Sequence, residues 1–235
     1  MRAKSPATKR HKIHKHFVLA CAFLWLIPVV HAQGTYTLDQ VFANLDEAQK
    51  TFRSVDANIE RTHVTIVVND KDVSSGKFYY TKRGKEPRVK LEIQKPMTQY
   101  LLIDRGKLQM YTPSLKQVQE TSLSGRQEKI EMFMALGFGQ SSADLKKNFD
   151  VSLAGEEVID GKKTAVLELK PKNTTMFRSV RLWLDQQKWV SVQIRTTESS
   201  GDYLTVRFTN IKLNPKIPES VFDLKLPKDV NVLKM

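Results

Sequence analysis

The stretch "MTQYLLIDRGKLQMYTPSLKQVQE", residues 97–120, decides the fold class. Two apolar bursts, Tyr100-Leu101-Leu102-Ile103 and Leu108-Gln109-Met110-Tyr111, flank a four-residue break, Asp104-Arg105-Gly106-Lys107. A polar, glycine-containing break between two such runs is a turn signal, so the stretch reads as a β-hairpin. It shows no nucleophile, no metal-ligand set and no phosphate loop. The clearest part of the chain is plain sheet.

Working outward, the same two-residue period recurs on both sides. In "RVKLEIQ" (88–94), Val89, Leu91 and Ile93 alternate with charged or polar residues. Further back, "THVTIVV" (62–68) and "GKFYYTK" (76–82) read as strands joined by a polar link, "NDKDVSS". Beyond the hairpin, "KQVQE" (116–120) is a further strand, and residues 149–171 hold a hairpin with its turn at Asp160-Gly161. Residues 177–199 hold another around Asp185 to Lys188, with Val180, Leu182 and Leu184 sharing a face, and Val190, Val192 and Ile194 sharing one on the next strand. Leu204, Val206 and Phe208 continue the pattern through 202–214. The expectation is about ten or eleven antiparallel strands in a meander with one apolar face. So many strands in one row imply a strongly curved sheet or barrel.

Two segments break that period. In residues 36–55, Leu38, Val41, Phe42, Leu45, Ala48, Phe52 and Val55 recur at three- and four-residue spacing, and Thr37 with Gln40 makes a capping box. Residues 122–150 predict a helix around 128–136, apolar on more than one face through Ile130, Met132, Phe133, Met134 and Leu136, and stopped by Gly137 and Gly139. A short helix around 142–148 comes next, capped by Ser142 or Ser141. These helical segments are the available covers for the apolar face of the sheet.

The chain has 235 residues and a formal charge of +13, enough for one domain or two small ones. Six basic residues before residue 17, unopposed by any acid, precede the fourteen apolar residues "FVLACAFLWLIPVV" (17–30) and the small residue Ala32. That is the layout of a secretory signal peptide, shorter than the ~20 residues that span a bilayer. Cleavage is expected near Ala32, which divides the chain into a signal peptide, 1–32, and a single domain, 33–235. The chain beyond Ala32 carries +7, has no cysteine because Cys21 lies in the leader, and keeps only His63 of the five histidines. A Ser/His or Cys/His catalytic pair would depend on that one side chain, and a histidine or thiolate zinc site lacks ligands. Asp104, Glu120 and Asp185 sit at turns or strand ends, where solvated charges are expected. No enzyme, no cofactor and no nucleic-acid partner is therefore expected.

The order of these features resembles the LolA family of periplasmic lipoprotein carriers and its wider superfamily of lipid-binding envelope proteins. The resemblance rests on the amphipathic N-terminal helix and on a strand ending in "KR". It rests also on "DRGKL" with "MYTP" and Gln117, on a Met- and Leu-rich insert with "LGFG", and on the terminal "PESVFDLKLPKDVNVL". The resemblance implies a mainly β fold, a half-open antiparallel β-barrel closed by a helical lid, here the segments at about 37–55 and 128–148. It implies a cavity for the acyl chains of a lipoprotein or other envelope lipid, an inner-membrane donor, an outer-membrane acceptor, and a periplasmic monomer. Phe42, Leu45 and Phe52 of the first helix, and Met132, Phe133, Met134 and Leu136 of the insert, are the expected cavity and lid residues. In the family, an arginine before a proline holds the lid closed. Here Arg83 and Pro87 are separated by three residues, so Arg83 is the first candidate for that latch and Arg88 the second. Where typical members carry a tryptophan after the Gly-Lys turn, this chain has Met110. A lipid-sensing or regulatory module of the same fold is the alternative function.

Overall fold

The computed structural model describes residues 36–83, 86–123, 138–172 and 177–234. The chain divides into two compact units, Met1–Ala32 and Gln33–Met235, and the described residues belong to the second. The leader, the helix expected at 128–136 and the candidates Met132, Phe133, Met134 and Leu136 lie outside the described residues.

The hairpin at the centre of the sequence forms as its turn chemistry demands. Strands β4 (Gln99–Asp104) and β5 (Lys107–Thr112) are joined by Arg105 and Gly106 at φ +53° and +67°. Two consecutive positive-φ residues are the tight hairpin turn whose twist matches that of the strands, and glycine makes the second position cheap. Asp160-Gly161, at φ +49° and +76°, joins β7 (Phe149–Ile159) to β8 (Lys162–Pro171) in the same way.

Around these hairpins the described residues form one sheet of twelve strands, ordered β12-β6-β5-β4-β3-β2-β1-β11-β10-β9-β8-β7. The remaining strands are β1 (Val55–Thr65), β2 (Asp70–Arg83), β3 (Glu86–Lys95), β6 (Gln117–Ser122), β9 (Ser179–Asp185), β10 (Ser191–Thr197), β11 (Tyr203–Leu213) and β12 (Asn231–Lys234). The architecture differs from a simple meander. Strands β1–β6 and β7–β11 are two meanders fused by pairing of β1 with β11, and the sheet remains open between β7 and β12. The twelfth strand comes from the terminal tail and pairs parallel with β6. Four irregularities in register, in the β1–β11, β2–β3, β7–β8 and β9–β10 pairs, introduce local twist and bend.

Two local expectations are corrected. The first hairpin turns at Ile66–Asn69, earlier than the polar link, so that Asp70 to Ser75 belong to β2 and Ile66, Val67 and Val68 project 53, 86 and 69 % exposed. Val192 does not share a face with Val190 and Ile194. A bulge between Ser191 and Gln193 turns it to the opposite face, where it packs with Val166 and Trp183. An inserted residue reverses the alternation that a period of two assumes.

The main core lies on the other face. Ala57 and Ile59 of β1, Tyr80 of β2, Val89 and Ile93 of β3, and Leu167, Leu182 and Ile194 of β8–β10 pack there with helix α1 (Leu38–Thr51). Thr37 caps α1 and Gln40 completes the capping box. Helix α2 (Ser142–Asn148) has Ser141 as its cap, paired with Asp144. The first helix ends at Thr51, not Val55, because the side chain of Asn214 intervenes. Its amide donates to Thr51 O at 3.0 Å and its Oδ1 accepts from Arg53 N at 2.7 Å, which redirects the chain into β1.

Candidate functional site

The site is built where the helices meet the apolar face of the sheet. Val41, Phe42 and Leu45 of α1 and Phe52 just beyond it are all buried. Leu45 and Phe52 line a small cavity of about 20 Å³, together with Leu182, Leu184 and Val190 of the sheet and Leu145 of α2. Phe42 points elsewhere within the same layer, with the Lys146 ammonium 4.3 Å from its ring centroid.

The concavity is closed by an aromatic cluster. Phe138, 3 % exposed, stands between Phe52, Phe78 and Phe208, with ring centroids at 6.3, 5.6 and 4.9 Å. Tyr80 packs against Phe52 at 5.3 Å. The next residue after Phe138, Gly139, has φ +71°, and a Cβ there would lie 2.6 Å from Cδ1 of Phe52. Only glycine lets the chain dip Phe138 into the sheet and leave again beside Phe52. Phe138 is not among the cavity residues that the sequence points to, although its motif "LGFG" stands out there. A lone phenylalanine between two glycines has no periodicity to assign it to a face.

The helices are held by a few polar ties. Asp46 of α1 accepts from Ser142 N and Ser142 Oγ of α2, each at 2.7 Å, and Gln49 Nε2 donates to Gly139 O at 3.1 Å. These bonds fasten α1 to the segment after the insert. Along the same helix, a wider groove of about 290 Å³ opens between the C-terminal half of α1 and the β9–β10 turn. A cavity of 20 Å³ holds about one water, whereas the groove approaches the volume of a small-molecule site.

The arginine candidates separate. Arg83 ends β2, opposite Glu86 of β3. Arg88 is 3 % exposed on β3. Its guanidinium meets Asp104 at 3.0 Å and Glu219 at 2.7 Å and covers the ring of Phe222 at 4.3 Å. Arg88 thus fastens the C-terminal segment to the sheet. Lys90, 6 % exposed, pairs with Glu92 at 3.0 Å and lies over Tyr100. Arg88 and Lys90 therefore belong to a buried polar layer. Asp185 is likewise buried, whereas its place at a turn suggests a solvated charge. Its carboxylate accepts from Gln187 N and Lys188 N and shapes the β9–β10 turn.

No group of three or more His, Cys, Asp or Glu side chains among the described residues is placed to hold a metal ion. Within the same residues, no helix is long and apolar enough to cross a membrane. An open sheet whose apolar face is covered by helices defines the class: a mainly β protein with a helical cover.

Comparison with known proteins places the chain within that class. The family model of the outer membrane lipoprotein carrier protein LolA matches residues 50–225, and the chain belongs to that family. It is 30 % identical over 166 residues to the outer-membrane lipoprotein carrier protein of Legionella pneumophila strain Corby, covering 68 % of this chain and 74 % of that one. It is 25 % identical to the protein of that name from Helicobacter pylori J99, over 93 % of this chain and 97 % of that one. An uncharacterised conserved protein of Thermus thermophilus shares the fold, with a TM-score of 0.55 at 12 % identity over 84 % of this chain and 98 % of the other.

Proposed function

We propose that the protein is an exported carrier that shields the acyl chains of a lipoprotein, or of another envelope lipid, and moves them through the periplasm toward the outer membrane. The observation that carries this reading is the clasp between Asp46 and Ser142. Hydrogen bonds join α1 to the start of α2, and the buried side chains of α1 meet the sheet through apolar contact, with Asn214 as a polar tie at the end of the helix. The small cavity beside Leu45 and Phe52 has room for about one water. Loading moves Phe138 aside and replaces the aromatic cluster by guest hydrocarbon, one apolar filling for another.

The energetics suit that exchange. Each methylene exposed to water costs about 0.8 kcal/mol, so a ~14-carbon chain needs on the order of 10 kcal/mol of shielding to cross an aqueous compartment. A preformed apolar wall supplies it without covalent chemistry. Phe42, Leu45 and Phe52, with Met132, Phe133, Met134 and Leu136 of the insert, form the movable side of the cavity, and methionine suits guests of variable shape. Arg83 is the proposed latch, because Arg88 is engaged with Asp104, Glu219 and Phe222. An inner-membrane complex loads the carrier and an outer-membrane acceptor unloads it. The leader is removed near Ala32.

Native mass spectrometry of protein purified from its own envelope tests this reading. The expected species lacks residues 1–32 and carries a lipid adduct. Protein that arrives lipid-free and binds no fluorescent fatty acid would remove the carrier function. A regulatory module would instead be captured with a membrane-protein partner and no lipid. Arg83→Leu is expected to alter uptake or release of cargo; unchanged kinetics in both directions would discard the latch.

A further inference from the structure

The groove beside α1 shares Ala48, Phe52, Trp189 and Val190 with the small cavity beneath the helix. One layer of side chains thus separates an open trough from the closed interior. The floor of the trough is apolar, completed by Leu213, and its rim is polar, carrying Asn44, Glu47, Thr51, Gln187, Lys188 and Asn214. A hydrocarbon floor beneath a hydrophilic rim fits an amphiphile whose tail lies in the trough and whose head stays in water.

Both walls of the trough are anchored. The end of α1 is pinned to β11 by Asn214, which bonds Thr51 O and Arg53 N. The opposite wall, the β9–β10 turn, is pinned by Asp185, whose carboxylate accepts from Gln187 N and Lys188 N and whose backbone carbonyl accepts from Trp189 N at 2.7 Å. That turn holds Trp189 at φ +52°, a conformation unfavourable for a bulky side chain. Such strain persists where surrounding bonds enforce it, and it gathers at sites that need a side chain aimed in one direction. Here it aims the indole across the mouth of the interior, where the ring meets Tyr36 edge-on at 5.0 Å and 87°. With both backbones fixed, the indole is the part free to swing.

We propose that this groove is the port by which an acyl chain enters and leaves, and that the side chain of Trp189 is its gate. The inference rests on the carrier reading and deepens it. Tyr36 is the gate's stop.

Stopped-flow uptake of cis-parinaric acid, a fluorescent fatty acid, tests the port in the purified exported protein. Thr51 lines the groove and not the inner cavity. Thr51→Trp should therefore slow uptake and release by tenfold or more while leaving the amount bound at equilibrium near that of the parent. Trp189→Ala should accelerate both rates severalfold, and Trp189→Leu, which retains bulk and packing, should lie between. Unchanged rates in Thr51→Trp, or in both Trp189 variants with folding verified by circular dichroism, would overturn the port while leaving the carrier intact. A parent protein that takes up no probe would overturn the carrier reading, and the port with it.

Discussion

Single residues carry more of this fold's cost than its motifs do. The hydroxyl of Tyr80, 1 % exposed in the main core, has no hydrogen-bond partner among the described residues. Burial pushes the phenol well above its usual range, since the charged form is disfavoured there. The unfolded phenol titrates near pH 10, so the neutral group's contribution is complete below that pH and is lost as pH rises toward the folded value. Tyr80→Phe should raise stability by about 1 kcal/mol at neutral pH and flatten the alkaline loss, measured by denaturant unfolding at pH 8 and pH 11. Arg88 behaves oppositely, because it has partners that depend on it. Arg88→Leu takes the guanidinium away from the mostly buried Asp104 and uncovers Phe222, and should cost about 3 kcal/mol in the same unfolding measurement. The C-terminal segment should then become sensitive to limited proteolysis.

At the scale of elements, the ends are set by tertiary partners while the starts are set locally. Both α-helices of the described residues begin at capping boxes readable in the chain, Thr37 with Gln40 and Ser141 with Asp144. The apolar stripe of α1 continues in sequence to Val55, yet the helix stops at Thr51, where Asn214 from 163 positions away takes over its last turn. Asn214→Ala should remove about 1 kcal/mol for each lost bond and reduce hydrogen-exchange protection at Arg53 and Ser54, whose amides face its oxygen at 2.7 and 3.4 Å. Because the same side chain pins the wall of the groove, that substitution should also broaden fatty-acid exchange kinetics. Fraying of α1 without any change at Arg53 would separate the two effects.

On the scale of the molecule, the described residues form one open sheet, and open sheets have edges. Strand β12 lies along β6, so its four residues cover the backbone groups of that edge. Deleting residues 231–235 should leave the carrier folded but expose β6 to edge-to-edge pairing. Concentration-dependent association in light scattering is the expected result, and a strictly monomeric truncated protein would show that β12 has no such role. The sequence by itself determined most of the period-two strands from β1 to β11, the starts of the two described α-helices, the tight turns at Arg105-Gly106 and Asp160-Gly161, and one apolar face in need of a cover. Those features arise from neighbours within a few residues, where period, turn chemistry and capping act directly. Tertiary structure alone decided that β1 joins β11, that the tail returns as β12, that Val192 turns away at a bulge, and that Arg88 and Asp185 are buried. It also decided that Phe138 packs among Phe52, Phe78 and Phe208, and that Trp189 meets Tyr36. Each of these depends on contacts between distant residues, and a pairing energy that exists only once two remote segments meet leaves no periodic trace along the chain.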